Sequence, residues 1–151
     1  MAAEQDLFSD PFGGVLTMKL VGTEFVGFIK FYLHQEFLGG QVVPENPWNV
    51  LRLLVDRTKA EPIASFMPAK QMVLPLSRKY GMETDAQNVI ITIWRLRNLI
   101  KDSAAAAKLV ASGLVASSEE FVKKLIQHQP SFGYRLTLPE SNITAVLQDA
   151  A

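Results

Sequence analysis

The stretch "TEFVGFIKFYLHQEFLGG" occupies residues 23–40, and its reading decides how much of this chain is helix. Two readings compete. At 100° per residue, Phe25, Phe28, Ile29 and Tyr32 share a face, with Val26, Leu33 and Phe37 beside them and Phe31 and Leu38 on the far side. A helix that apolar has to be covered on most sides. The same residues also fit the second strand of a hairpin, because residues 15–21 just before them alternate Leu16, Met18 and Leu20 against Thr17 and Lys19, the pattern of a half-buried strand. A Thr23 cap, the length of the segment and the Gly39-Gly40 stop favour the helix.

Downstream, helical signals follow one another. Asn46-Pro47 reads as cap and first helical residue of a helix running to about Lys59, with Trp48, Leu51, Leu54, Val55 and Thr58 inward. Pro62, Pro68 and Pro75 then limit residues 60–75 to short helical pieces. Thr84 and Gln87 form a capping box for a long helix from Asp85 to about Lys101. Ser103 opens a small-residue helix, and Ser117 with Glu120 caps another that extends through "LIQHQ" to Pro130. Residues 132–138 alternate as a strand, and Ser141 starts a short closing helix. The expected fold is therefore α+β and mainly α-helical. It is a single domain (residues 14–151) with five or six helices, a small antiparallel sheet from residues 15–21 and 132–138, and an N-terminal arm (residues 1–13).

Residues 76–101 have the outline of a helix-turn-helix, and the polar side of the long helix presents Asn88, Arg95 and Asn98, side chains able to contact base edges. Lys70, Arg78, Lys79, Arg95, Arg97 and Lys101 outnumber Glu83 and Asp85 in this region. Two objections stand against DNA reading: Pro75 would shorten the first helix, and Glu83 with Asp85 would meet the phosphates. Arg97 falls within the apolar stripe, which calls for a snorkelling guanidinium or a buried partner.

Composition excludes more than it suggests. Fifteen Lys and Arg balance fifteen Asp and Glu in 151 residues, so no global charge draws the chain to polyanions. Without cysteine there is no disulfide, thiolate metal site or thiol nucleophile. No phosphate loop, paired-histidine helix or serine elbow is present, so neither catalytic residues nor a metal or other cofactor is expected. His34 reads as a surface or interface residue, and His128 as a helix C-terminal residue that favours the macrodipole. With no signal peptide pattern and no apolar run of spanning length, a cytoplasmic location is expected.

The arm "DLFSDPFGG" places Leu7, Phe8 and Phe12 in an acidic context, an anchor set suited to a groove on a protein partner or a second copy. Its Asp10-Pro11-Phe12 resembles the short peptide ligands of clathrin-adaptor appendage domains. The functional expectation is a non-enzymatic protein–protein interaction module, an adaptor or accessory subunit of a larger assembly. DNA binding through residues 76–101 is the alternative, and a small cofactor-free enzyme stands third.

Overall fold

The computed structural model describes residues 10–61 and 65–147. Residues 23–43 are not a helix. They form strands β2 (Gly27–Leu33) and β3 (Glu36–Val43), joined to each other by a two-residue turn and preceded by β1 (Leu16–Gly22). His34 and Gln35 both take positive φ, 49° and 69°, the geometry that lets a tight hairpin follow the natural strand twist. Neither is a residue that usually advertises such a turn, and the glycines that resembled a helix stop serve the sheet instead. Gly39 lies at a bulge opposite Phe31, and Gly40 leaves room for the ring of Phe28.

The sheet overturns the expected architecture. Its strand order is β3-β2-β1-β6, with β6 (Ile143–Leu147) parallel to β1 and the other pairs antiparallel, so it is mixed rather than a small antiparallel sheet. The anticipated closing helix at Ser141 is only a 3-10 turn (Glu140–Asn142) leading into β6. Asn142 Nδ2 donates to the carbonyls of Gly14 and Leu16 at 3.1 and 2.9 Å, which sets the last strand beside the first. Residues 132–138 do supply a strand, β5 (Gly133–Leu136), but it pairs antiparallel with β4 (Ile126–Gln129) in a separate two-stranded ribbon.

Five α-helices among the described residues pack with the sheet: α1 (Glu45–Ala60), α2 (Ala69–Tyr80), α3 (Ala86–Lys101), α4 (Ala104–Ser112) and α5 (Ser118–Leu125). Helix α2 runs through Pro75, contrary to the expected short pieces. The missing ladder bond would have served the carbonyl of Gln71, which is exposed and open to water, while Met72 and Leu76 bury the opposite side. Asp85, not Thr84, caps α3 by accepting from the Asn88 amide at 2.8 Å. The cap at Ser117 holds, with its hydroxyl accepting from the Glu120 amide at 3.0 Å.

Helix α5 stops one turn short of the expected end because other parts of the chain take its last carbonyls. Thr137 donates its amide to Leu125 O at 2.9 Å and its hydroxyl to Lys124 O at 2.6 Å. The Arg97 guanidinium donates to Ile126 O. With these carbonyls satisfied from outside, the chain leaves the helix and starts β4.

The core lies between the helices and one face of the four-stranded sheet. From the sheet come Leu16, Met18, Leu20, Ile29 and Phe31; from α1 come Trp48, Leu51 and Leu54, with Ile93, Leu96 and Phe121 from the helices beyond. Trp48 is seated on Gly22 and Gly27, whose missing side chains leave the slot for its indole, and its Nε1 donates to Thr23 O at 2.8 Å. The alanines of α4 allow the close approach expected of them, but to strand β3: a Cβ on Gly39 would lie 3.1 Å from the Ala105 amide nitrogen.

Candidate functional site

The residues singled out in the arm fall into two groups. Leu7 and Phe8 lie outside the described residues. Phe12 is 2% exposed and packs edge-on against Phe121 with ring centroids 5.9 Å apart, so it belongs to the core of its own chain. Asp10 turns the backbone there by accepting from the amides of Phe12 and Gly14, each at 2.8 Å. An Asp-Pro-Phe peptide held this way does not offer its phenylalanine to a receptor groove.

Helix α3 carries the second group. Its outward arc runs from Ile90 to Ile91 and includes Gln87, Trp94 and Asn98, while Asn88 and Arg95 lie on one flank. Trp94 is 64% exposed, and Ile90 and Ile91 are also open to solvent. The wheel puts Ile90 on the buried side with Trp94 at its edge; in the fold both face outward, because Val89, Thr92, Ile93, Leu96 and Ile100 fill the core contact. Beside the Arg95 flank lies an open hollow of about 540 Å³ lined by Pro44, Glu45, Asn46, Pro47, Arg95 and Leu99. The junction of β3 and α1 thus forms one wall and α3 the other.

This surface does not have the chemistry of a duplex reader. The continuous α2 removes the objection from Pro75, but Asp85 is committed to the N-terminus of α3, where a phosphate would have to approach. Much of the apparent basic excess is engaged elsewhere: Lys79 pairs with Asp56 at 2.7 Å, Lys101 with Glu119 at 3.3 Å, and Arg97 serves Ile126. Asn88, Arg95 and Asn98 flank an indole and two isoleucines, an arrangement that gains more from apolar burial than from phosphate contacts.

Two polar clusters lie away from the α3 face, and neither has the make-up of a reaction centre. Between α1 and α2, the Tyr80 hydroxyl donates to Asp56, which also takes the Lys79 ammonium, and the Arg52 guanidinium lies over the Tyr80 ring at 4.4 Å. Burial, and then the hydrogen bond to Asp56, push the Tyr80 phenol well above its ordinary value of 10.0, so at neutral pH it is a donor and not a base. The cluster staples two helices. Near Arg135 a cavity of about 90 Å³ is bordered by Asp10, Thr58, Ser65 and Glu140. It is far below the roughly 300–1,000 Å³ of typical ligand sites. Among the described residues no group of His, Asp and Glu could hold a metal ion.

The Tyr80 arrangement makes a pH prediction. A pKa raised on folding contributes stability that is complete below the unfolded value and lost as pH rises through the folded one. Denaturation midpoints measured from pH 8 upward should therefore fall above about pH 10, and Tyr80→Phe should flatten that part of the decline while lowering stability near neutrality. An unchanged alkaline slope in Tyr80→Phe would remove this residue from the account.

No family model, curated protein or solved structure matches the chain. No helix among the described residues is long and apolar enough to cross a membrane. In the sequence, Arg95 and its neighbours read as nucleic-acid contacts and Trp94 as the edge of the apolar stripe. The signal that was available is the surplus: α3 has more large apolar side chains than one core contact can bury.

Proposed function

We infer that this protein is a non-enzymatic interaction module, an adaptor or accessory subunit of a cytoplasmic assembly, and that the outer face of α3 is where another protein sits. The exposure of Trp94 between Ile90 and Ile91 carries the reading. A tryptophan offers the largest apolar surface of any side chain and is among the residues most enriched at the energetic centres of protein interfaces. Asn98 and Arg95 supply a polar rim, and the hollow beside them accepts an anchor from the partner. The simplest partner is a second copy of the chain.

Light scattering at two concentrations should give a mass above 16.8 kDa that falls to the monomer value in Trp94→Lys, with the thermal midpoint little changed because the residue lies outside the core. Acrylamide quenching provides a second readout, since Trp48 is buried and Trp94 is the quenchable tryptophan in a monomer. A wild-type chain that stays monomeric at high concentration, with Trp94 fully quenchable, would rule out self-association through this face.

A further inference from the structure

The face of the four-stranded sheet that points away from the helices is covered by no described element. Its side chains follow from the strand registers. One row across the sheet is apolar: Val146, Val21, Phe28 and Val42. In the next row Lys19 and Lys30 stand directly opposite each other between Thr144 and Gly40. The third brings Tyr32 against Phe37, with ring centroids 5.6 Å apart and Phe37 55% exposed. Same-face rows along a strand are about 6.8 Å apart.

Three features of this face point to a ligand. First, like charges directly across a strand pair destabilise the pair, and among the described residues neither lysine has an ion-pair partner and the face carries no carboxylate. A bound anion would relieve that repulsion. Second, a Cβ on Gly40 would fall 2.3 Å from a ring atom of Phe28, so that ring lies across the glycine and not upright on the sheet. Third, the described chain enters on the helix side, where Phe12 packs on Phe121, so residues 10–14 do not lead across the outer face.

We propose that this face binds single-stranded nucleic acid, with Lys19 and Lys30 taking backbone phosphates and Phe28, Tyr32 and Phe37 taking unstacked bases. Both halves of the ligand are needed to use the face: phosphate alone leaves the aromatic rows in water, and an apolar partner alone buries two lysines without a counter-charge. A second copy packed face to face would bring four lysines together. Duplex DNA fits poorly, because its bases are already stacked on one another, whereas a single strand can lay each base on an aromatic ring. The site is separate from the α3 face, so either proposal can fail alone.

The test is anisotropy of a short labelled oligothymidylate titrated with the full chain. Two phosphate contacts predict a slope of log K against log salt near about −1.4, a roughly sevenfold loss between ~50 and ~200 mM. Lys19→Gln/Lys30→Gln should flatten that slope, and Phe37→Ala, at a well-exposed position, should weaken binding roughly five- to hundredfold with an unchanged melting curve. The duplex of the same sequence should bind more weakly. Equal binding by the lysine variant would overturn the proposal, as would equal competition by polyglutamate, which would assign the face to an acidic polypeptide. Dimerisation abolished by Phe37→Ala, with no oligonucleotide bound, would assign it to a second copy.

Discussion

Replacing Gly27 with alanine is expected to cost about 3 kcal/mol or more, a large share of the roughly 5–15 kcal/mol that stabilises a domain. The cause is a single clash. A Cβ at this position would lie 2.2 Å from two atoms of the Trp48 indole, a side chain with no solvent exposure and so no open space to retreat into. Trp48 is also tied by its Nε1 bond to Thr23 O, in the loop between β1 and β2, and Gly22 forms the other part of its seat. Moving the ring therefore moves α1 away from the sheet. Trp48→Leu should itself cost several kcal/mol, near the ~3–5 kcal/mol typical of removing a buried aromatic side chain. The informative measurement is the double variant by urea denaturation. Once the indole is gone the alanine methyl has room, so Gly27→Ala/Trp48→Leu should be more stable than the sum of the single losses predicts, by about 1–3 kcal/mol. Strict additivity would mean that the glycine is required for some reason other than the tryptophan.

That pair also shows where the sequence was legible and where it was not. Trp48 on the inner face of α1 follows from helical periodicity, as do the caps at Ser103 and Ser117, because each depends on residues within one or two turns. The strand at β1 was legible for the same reason, through its strict alternation. Residues 27–43 were not, because β2 carries apolar side chains on both faces, β3 has an extra residue, Leu38, at its bulge, and the hairpin turn is built from His34 and Gln35 without glycine or asparagine. The end of α5 depends on the distant donors Thr137 and Arg97, and the start of β6 on Asn142 reaching the distant carbonyls of Gly14 and Leu16, so no local window contains both partners. Trp94 was assigned to the edge of the core by the helical wheel, which places a residue on an arc but does not say how much of that arc the rest of the fold covers. Its exposure could be learned only from the packing. The sheet face was hidden for a similar reason: Lys19 and Lys30 become neighbours only once β1 and β2 are paired, and under the helical reading of residues 23–38 they do not meet at all.

Phe12→Ala should lower stability by about 3–5 kcal/mol, and in the Trp94→Lys background, where assembly through α3 is removed, the denaturation midpoint should be independent of protein concentration over the range in which that loss is measured. The argument starts from Phe121, which receives two edge-on aromatic contacts: Phe12 at 5.9 Å and Phe31 at 5.5 Å. Such geometry sets the positive ring edge against the negative ring face and is worth about 0.5–1.5 kcal/mol per pair beyond the area buried. Phe31 anchors the centre of the sheet, Phe121 anchors α5, and Phe12 closes the cluster from the start of the chain, so the entering segment contributes to the core that joins sheet to helices. The Asp10 carboxylate fixes the approach by holding two amides, and the turn it makes delivers the ring. If the phenylalanine instead docked on a neighbouring molecule, its contribution would be supplied by association and would strengthen with concentration. A midpoint that rises with protein concentration in Trp94→Lys and not in Trp94→Lys/Phe12→Ala would therefore show exchange of the segment between copies. A flat response in the Trp94→Lys background together with the full loss on replacing Phe12 would assign Phe12 to its own core and leave assembly to Trp94.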